Sequence, residues 1–400
     1  MSGPAVPRTT TATTAARPPA ARPAAARPPA AGRPLRVVHV ITTLTTGGAE
    51  RQLELLVQRT AAATATVCLY EAGPVGDAMR ARGDRVRVLG MAGWRKPLAV
   101  LRLARVLRAH APDVVHVHLL AAQLWGIPAA RMAGVRVVVS SEHSLMADTV
   151  EGRPHAWWLR LLYRGLERAA THTVAVSETT AERLVGWGVR RDRITVVDNG
   201  IDVDALTPAP ADRAAVRSEL GLADDDVALV VVGRLDPVKR VDEVLRACAP
   251  RLAAGGHVLL VAGAGSLLGD LQALAADLGV SHAVRWLGPR GDVPRVLAAA
   301  DVALSASRDE TFGMAVVEAV ASGLPVVFVQ CPALTELSAV PEGAVEVAGG
   351  PDGLRAGLDE LQRRGLHRRD VPAELSLRYG AAAAASAVDA LYRRLLAHRS

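Results

Sequence analysis

Residues 305–318 of this 400-residue chain read SASRDETFGMAVVE. The apolar run that leads into this segment predicts a strand, and the apolar run after Gly313 predicts a helix. Glu310 then lies on a loop at the carboxyl end of a strand, where open parallel sheets bind ligands, and Glu318 lies in the second turn of the helix. The first amides of the helix, at Phe312–Met314, form a seat for phosphate, so the two carboxylates suit hydroxyl-rich groups such as a sugar and a ribose.

Strands and helix-length segments alternate around this motif, and the alternation runs twice along the chain. In the first series, strands are predicted at Arg36–Thr42, Val67–Tyr70, Val86–Leu89, Val114–His118, Val135–Ser140 and Thr173–Val176. In the second series, they are predicted at Val227–Val232, Val258–Ala262, Val284–Leu287, Val302–Ser305 and Pro325–Val329. Such alternation implies right-handed crossovers and parallel sheets, so the predicted fold class is α/β with two Rossmann-like, doubly wound domains.

The boundaries of these domains follow from where the turn-forming residues lie. We place the domains at residues 35–203 and 204–378, with a hinge near residues 203–208. The alanine-rich end, Ala381–Ala397, predicts a long helix within residues 379–400 that packs back on the first domain. Residues 1–34, rich in alanine, proline and arginine, are expected to be disordered, because proline blocks a helix and few apolar groups offset the entropy of ordering.

Charge and cysteine content exclude several classes of protein. The net charge of +7 owes much to residues 1–34, which contain five arginines and no acidic residue, so the remainder is close to neutral and no nucleic-acid partner is expected. Three widely separated cysteines match no metal or redox spacing, which favours a reducing cytoplasm. An apolar run long enough to span a bilayer is not found, and we expect a soluble protein without a secretory signal.

Several motifs, in order from about Arg36 to about Glu336, resemble those of family 4 glycosyltransferases, which have the two-domain GT-B fold. Residues 310–318 resemble the E-x7-E signature of that family. The other matching blocks are Gly47–Glu50, Asp113–His118, Ser141–Ser144, Val176–Glu178, Asn199–Asp202 and Gly233–Lys239. The resemblance implies that the two domains face a central cleft in which a nucleotide-sugar donor binds.

The resemblance also implies roles for particular residues in donor binding. Glu310 would contact the hydroxyls of the transferred sugar, and Glu318 would contact the ribose. Arg234 and Lys239 would bind the diphosphate and stabilise the charge on the departing nucleotide. The remaining donor-binding candidates are Gly47, Gly48, Phe312, Gly313 and Met314, of which the first two would let the backbone approach phosphate from the other domain.

On the acceptor side, His143 is the expected catalytic residue, because its counterpart in the family lies near the donor sugar. A lone histidine at a strand end is more often structural. His116 and His118 share one face of the sheet, and we expect one of them to line the cleft and the other to lie in the core. The four catalytic candidates are Glu310, His143, Arg234 and Lys239.

The reaction implied by the resemblance is transfer of a sugar, with retention, to an acceptor hydroxyl, with no metal or other cofactor. A glycan, a lipid-linked compound or a small molecule would be the acceptor, in cell-surface polysaccharide or glycolipid synthesis. Glycosylation of a small natural product is an alternative, as are a nucleotide-sugar epimerase on the same fold and a non-catalytic sugar-binding module. The expected location is the cytoplasm, with peripheral contact at the inner face of the membrane as an open alternative.

Three features depart from the family pattern or leave alternatives open. Thr311 and Arg240 stand where the family commonly has glycine, and residues 330–336 replace a Gly-Gly loop near the donor sugar. Gly263, Gly265 and Gly269 have a spacing one residue longer than a dinucleotide-binding motif, so tight packing is the expected explanation. Arg160, Arg164 and Arg168 lie on one face of a helix that begins near Trp157, which is either an interfacial basic and aromatic helix or a crossover helix with Trp157 in the core. Arg102, Arg105 and Arg108 form a similar stripe on an earlier helix.

Overall fold

The structure, a computed structural model, describes residues 33–91, 96–207 and 210–398. The tail predicted for residues 1–34 lies outside the described residues except for its last two. Arg33 forms an ion pair with Asp113, with a nitrogen-to-oxygen distance of 2.7 Å. In this part of the chain, no helix has the length and apolar character needed to cross a membrane.

The first domain is built on a parallel sheet of seven strands with helices on both faces. Its strands are β1 (Arg36–Ile41), β2 (Ala63–Cys68), β3 (Val86–Val88), β4 (Val114–His118), β5 (Val137–Glu142), β8 (His172–Ala175) and β9 (Ile194–Val196), and the order in the sheet is β3-β2-β1-β4-β5-β8-β9. A small hairpin, β6 (Thr149–Val150) and β7 (Arg153–Pro154), follows β5. The helices are α1 (Gly48–Arg59), α2 (Pro74–Ala81), α3 (Lys96–His110), α4 (Leu120–Met132), α5 (Trp157–Ala169) and α6 (Glu178–Gly186).

The second domain repeats the plan with six parallel strands. They are β10 (Val227–Val232), β11 (His257–Ala262), β12 (Val284–Gly288), β13 (Val302–Ser305), β14 (Val326–Phe328) and β15 (Ala344–Glu346), in the order β12-β11-β10-β13-β14-β15. The helices are α7 (Val203–Leu206), α8 (Pro210–Glu219), α9 (Val241–Ala254), α10 (Leu268–Asp277), α11 (Val293–Ala299), α12 (Met314–Ala321), α13 (Pro332–Thr335), α14 (Pro351–Arg364), α15 (Ala373–Tyr379) and α16 (Ala381–Ala397).

The predicted α/β class with two Rossmann-like parallel-sheet domains is therefore confirmed. Each predicted strand overlaps an observed strand, whereas β9, β15 and the β6–β7 hairpin were not predicted. These strands contain two or three residues each and give little periodic pattern, whereas β3 and β14, which also have three residues, lie within longer apolar runs. The chain passes from the first sheet to the second between β9 and β10, and the hinge predicted near residues 203–208 falls within this connection. At the start of α5, Trp157 is 75% exposed, so the alternative that placed Trp157 in the core is wrong.

The last helix, α16, lies against the first domain although it follows the second. Its Val388, Leu391 and Tyr392 are buried and pack with Val37 and Val139 of β1 and β5. The carboxylate of Asp389 accepts hydrogen bonds from the hydroxyl of Thr60, at 2.6 Å, and from the amide of Ala61, at 2.9 Å. This helix thus ties the end of the chain, which follows the second domain, to the first domain.

Candidate active site

A pocket lies at the carboxyl end of the second sheet, between the ends of β10 and β13 and the start of α12. Gly233, Arg234, Lys239, Glu310 and Gly313 line it together with apolar residues of the strands. The Lys239 ammonium donates a hydrogen bond to Oε1 of Glu310 at 2.6 Å. Their side chains are 24% and 10% exposed, so the pair is mostly shielded but reaches the pocket. The structure therefore brings together three of the four predicted catalytic residues.

Arg234 is the most accessible cation of this pocket. Its side chain is 68% exposed, and its guanidinium pairs with the carboxylate of Asp236 at 3.0 Å. The loop that carries it packs closely on the next βα turn, since a Cβ at Gly263 would lie 1.8 Å from the carbonyl oxygen of Gly233. A Cβ at Gly265 would lie 2.2 Å from that of Leu235. Glycine at positions 263 and 265 therefore lets the loop that carries Arg234 pack closely on the next βα turn.

Residues 330–336, the segment that replaces the Gly-Gly loop, pack against the start of α12. Gly313 precedes the helix with φ +96°, and a Cβ there would lie 2.5 Å from the sulfur of Cys331. The side chain of Phe312 is buried, with its ring edge-on to Tyr379 at 5.1 Å between centroids. The amide of Glu310 donates to Gln330 at 2.8 Å. The first amides of the helix have no acceptor within it, and the start of the helix lines the pocket.

Glu318 lies one turn into α12 and is partly buried. Burial raises the pKa of its carboxyl group to about 7, and the positive charge of Arg51 opposes that rise. Arg51 belongs to α1 of the first domain and donates to the carbonyl oxygen of Gly291 in the second domain at 3.0 Å. The carboxyl group expected to meet the ribose thus lies where both domains contribute to its surroundings.

The glycine-rich loop of the first domain faces α12 across the cleft. A Cβ at Gly48, the first residue of α1, would lie 4.0 Å from Met314, so two helix starts approach each other there. At Gly47, however, the position of a Cβ is occupied by Glu50, whose carboxylate oxygen would be 2.2 Å away. Glu50 itself accepts a hydrogen bond from Thr43 at 3.0 Å. A Cβ at position 47 would therefore displace the end of the flexible Glu50 side chain, whereas the backbone there, with φ −84°, is one that any residue adopts.

His143 lies on the opposite side of the cleft from Glu310. Both of its ring nitrogens are shielded from solvent and have no hydrogen-bond partner among the described residues. Burial lowers the pKa of its imidazole to about 4, so the ring is neutral at physiological pH. The carbonyl oxygen of His143 accepts a hydrogen bond from the hydroxyl of Thr311 at 2.9 Å, and Ser177 donates to the carbonyl oxygen of Thr311 at 2.6 Å. Thr311, one of the departures from the family pattern, therefore bridges the two domains beside the pocket.

His116 and His118 are both buried, and both line a pocket of the first domain together with His143, Asn199 and Gly200. His116 forms hydrogen bonds with Tyr392, at 2.6 Å, and Ser141, at 2.7 Å. His118 contacts Nδ1 of His39 at 3.1 Å, and residues of α1 and α16 line the same pocket as His116 and His118. His39, His116 and His118 are the group of described residues whose spacing could hold a metal ion. Hydrogen bonds already occupy four of their ring nitrogens, which fits a neutral, hydrogen-bonded core.

Other residues that shape the cleft were not identified from the sequence. Arg183 of α6 pairs with Asp309 at 2.8 Å and donates to the carbonyl oxygen of Glu310 at 3.2 Å. On the hinge side, Arg378 pairs with Asp198 at 2.9 Å and with Glu336 at 3.3 Å. Asp309 and Glu336 lie next to or within motifs, and this was the one signal available in the sequence. Arg183 and Arg378 could not be identified, because an arginine on a distant helix has no local pattern.

Comparison with known proteins assigns the chain to a family. The family described as Glycosyltransferase Family 4 matches residues 46–205, and the family described as Glycosyl transferases group 1 matches residues 212–371. The two matches together cover most of the chain and include both sides of the cleft. The chain belongs to glycosyltransferase family 4.

Curated relatives of this family 4 member include D-inositol 3-phosphate glycosyltransferases. The protein of that name from Stackebrandtia nassauensis is 34% identical over 268 residues, which are 60% of this chain and 58% of the relative. The one from Nocardia farcinica is 33% identical over 282 residues, which are 64% of this chain and 61% of the relative. The chain therefore spans about three fifths of the length of the curated relatives it matches.

Solved structures show that this family 4 member has the GT-B fold. HepE from Anabaena in complex with UDP and glucose superposes with a TM-score of 0.78 at 19% identity, covering 90% of this chain and 99% of that chain. A sucrose-phosphate synthase from Thermosynechococcus elongatus gives a TM-score of 0.71 at 17% identity, covering 91% and 100%. A UDP-GlcNAc 2-epimerase from Methanocaldococcus jannaschii also matches, with a TM-score of 0.61 at 14% identity, covering 90% and 100%. The likeness thus extends to an epimerase, so the fold alone does not distinguish the two reactions.

Proposed function

We propose that this chain is a retaining glycosyltransferase that moves a sugar from a nucleotide-sugar donor to an acceptor hydroxyl. The observation that carries the proposal is the pair of Lys239 and Glu310, 2.6 Å apart, in one pocket with Arg234 at the start of α12. Cations beside helix amides suit a diphosphate, and the adjoining carboxylate suits sugar hydroxyls. Family membership favours transfer over the epimerase alternative.

In the proposed reaction, the bond between the sugar and the diphosphate breaks and negative charge develops on the departing nucleotide. Arg234 and Lys239 would stabilise this charge, and fixed cations lower the barrier because they need no rearrangement when the charge forms. Two such cations supply positive charge without a metal, so we expect transfer to persist in the presence of a chelator.

The donor sugar would lie between Glu310 and His143. Glu310 would accept hydrogen bonds from the sugar hydroxyls while remaining in contact with Lys239, whose ammonium has three donors. A neutral His143 has one donor and one acceptor nitrogen, and both are without partners among the described residues. It would therefore orient a sugar hydroxyl by hydrogen bonding. A front-side attack of the acceptor hydroxyl on the anomeric carbon would retain the configuration.

The acceptor is proposed from the relatives, and the cellular setting is proposed from the resemblance to the family. Because the curated relatives are named for D-inositol 3-phosphate, that compound is the first acceptor to test. Synthesis of a cell-surface polysaccharide or glycolipid is the proposed context, in the cytoplasm with peripheral contact at the inner face of the membrane. Glycosylation of a small natural product would use the same donor site with a different acceptor.

The donor site can be tested by thermal shift with UDP-, GDP-, ADP- and dTDP-sugars. We expect one donor to raise the melting temperature of the wild type and Lys239→Ala to lose most of that rise. Arg355→Ala provides a matched control, because it removes an exposed cation on α14 that pairs with Asp352 outside the pocket. Absence of a shift with every donor, or an unchanged shift in Lys239→Ala, would contradict the proposed site.

The reaction can be tested with the donor that stabilises the protein. Proton NMR of the product formed with an acceptor should give the same anomeric configuration as the donor, and an inverted anomer would refute retention. Conversion of the donor to a different sugar nucleotide without any acceptor would favour the epimerase instead.

A further inference from the structure

The loop that carries Glu310 is fastened to the first domain. The carboxylate of Asp309 accepts hydrogen bonds from the guanidinium of Arg183, at 2.8 Å, and from the amide of Ala147, at 2.7 Å. Arg183 also donates to the carbonyl oxygen of Glu310 at 3.2 Å and to that of Leu145 at 3.0 Å. One guanidinium therefore connects the backbone of Glu310 to the turn that follows β5.

Thr311, the next residue, contacts the first domain through both its side chain and its backbone. Its hydroxyl donates to the carbonyl oxygen of His143 at 2.9 Å. Its own carbonyl oxygen accepts hydrogen bonds from the hydroxyls of Ser177, at 2.6 Å, and Thr180, at 3.3 Å. Thr311 is buried, so water does not compete for these bonds, and each of them is stronger than it would be on the surface.

These contacts place Thr311 between the two side chains that would hold the donor sugar. Glu310 precedes it in the chain, and the carbonyl oxygen of His143 accepts its hydrogen bond across the cleft. Glu310 is fixed on its other side within the second domain, where its amide donates to Gln330 at 2.8 Å and its carboxylate pairs with Lys239 at 2.6 Å. Because Glu310 and His143 belong to different domains, the span between them depends on contacts such as that of Thr311.

The hydroxyl of Thr311 supplies a contact that the backbone alone would not supply. Glycine, which the family commonly has at this position, would keep the carbonyl oxygen that Ser177 contacts but would have no side-chain donor for His143. Threonine is branched at Cβ, which restricts its χ1, so its hydroxyl is held in place at little cost in entropy. The side chain therefore fixes one distance across the cleft that a glycine would leave free.

We propose that Thr311 is a positioning residue of the sugar transfer. Its hydrogen bond sets the span between the carboxylate of Glu310 and the imidazole of His143, and so the orientation of the donor sugar between them. This inference rests on the proposed function. Reaction rates depend steeply on such alignment, because a misplacement of about 1 Å can lower a rate by about a hundredfold.

The effect of Thr311 should fall on turnover and not on donor affinity. Arg234, Lys239 and Glu318, the residues expected to hold the diphosphate and the ribose, all belong to the second domain. Their side chains do not contact the hydroxyl of Thr311, so the nucleotide part of the donor would bind without it. A wider or variable span would instead lower the share of bound donor that is aligned for attack, which reduces kcat.

The test is the steady-state rate of nucleotide release from the donor that stabilises the wild type, with D-inositol 3-phosphate and with water alone as acceptors. Titration with the donor counts the binding sites, so that kcat refers to folded protein only. Thr311→Val replaces the hydroxyl by a methyl group of similar size, and it should lower kcat by about tenfold or more and change the KM for the donor by less than about twofold. Thr311→Ser keeps the donor to His143 and should keep kcat within about threefold of the wild type.

Thr60→Val is the matched control. Thr60 also donates its hydroxyl to a distant segment, at 2.6 Å to Asp389, but it lies at the opposite end of α1 from the glycine-rich loop. This control should lower the melting temperature about as much as Thr311→Val does and should leave kcat unchanged.

The outcomes separate this inference from the proposed function. An unchanged kcat in Thr311→Val, or an equal fall of kcat in Thr311→Ser or in Thr60→Val, would overturn the positioning role of Thr311 while the proposed function stands. Absence of nucleotide release by a wild type that binds the donor would contradict the proposed function and overturn the positioning role with it.

Discussion

The carboxyl group of Glu318 should make the stability of the protein depend on pH in a direction that can be worked out. Burial raises its pKa from 4.5 to about 7. The native protein therefore keeps this proton up to about pH 7, whereas the unfolded chain releases it near pH 4.5, so the native state binds more protons between these values and stability falls as pH rises. One pKa unit corresponds to about 1.4 kcal/mol of stability. Because partial exposure of the side chain reduces the free energy that the whole rise in pKa would give, we expect ionisation of Glu318 to destabilise the native protein by about 2 kcal/mol above pH 7.

Replacing Glu318 with glutamine removes this cost, because the amide does not ionise. The variant should melt close to the wild type at pH 5 and about 5 °C higher at pH 8, since each kcal/mol shifts the midpoint of a domain of this size by roughly 2–4 °C. The assay is thermal unfolding of both proteins across that pH range. Glu342→Gln serves as the control, because the side chain of Glu342 is 80% exposed, and it should leave the midpoint unchanged at both pH values.

A difference between Glu318→Gln and the wild type that is the same at pH 5 and pH 8 would refute the reasoning, as would a lower midpoint for the variant at pH 8. The nucleotide provides a second readout. If ribose hydroxyls donate to Glu318, the donor should stabilise the wild type at pH 8 more than it stabilises the variant.

Three further predictions concern the same cleft. Arg240→Gly should stabilise the protein by about 1 kcal/mol. The φ of Arg240 is +51°, a left-handed value that costs a residue with a Cβ roughly 1–2 kcal/mol, and the loss of its ion pair with Glu243 costs little. An unchanged or lower melting temperature would contradict this prediction. Gly313→Ala should destabilise the protein by about 2 kcal/mol or more, because the new Cβ would clash with Cys331. The destabilisation should be smaller by about 1 kcal/mol in a Cys331→Ala background. Additive effects in the double-mutant cycle would rule out that contact. The imidazole signals of His143 should stay constant in NMR spectra between pH 5.5 and 8, because burial lowers its pKa to about 4, and a titration near pH 6.5 would show that the ring is solvated.

Much of the candidate site follows from the sequence because each part of it is local. The positions of Glu310 and Glu318 follow from a strand, a loop and a helix that are adjacent in the chain, and residues 233–239 form another such unit. Local periodicity and turn residues determine these units, so their order along the chain predicts both the α/β class and the edge of the sheet at which ligands bind.

The contacts across the cleft could not be predicted in this way. Arg183 meets Asp309 across 126 residues of chain, and Thr311 meets His143 across 168. Residues so far apart in sequence carry no shared local pattern, and their contact depends on how the two sheets are placed relative to each other. The exposure of Trp157 was likewise undecided, because the amphipathic pattern of α5 fits both an interfacial helix and a crossover helix with a buried tryptophan.

What the sequence by itself determined is the fold class, with its two parallel-sheet domains, and the family motifs that include Arg234, Lys239, Glu310 and Glu318. What only the tertiary structure decided is how these residues act on one another. The pairing of Lys239 with Glu310 and the pKa of about 7 at Glu318 depend on burial and distance, which arise when separate elements pack together. The physical reason is that local sequence specifies backbone conformation, whereas electrostatic environment is a property of the assembled fold.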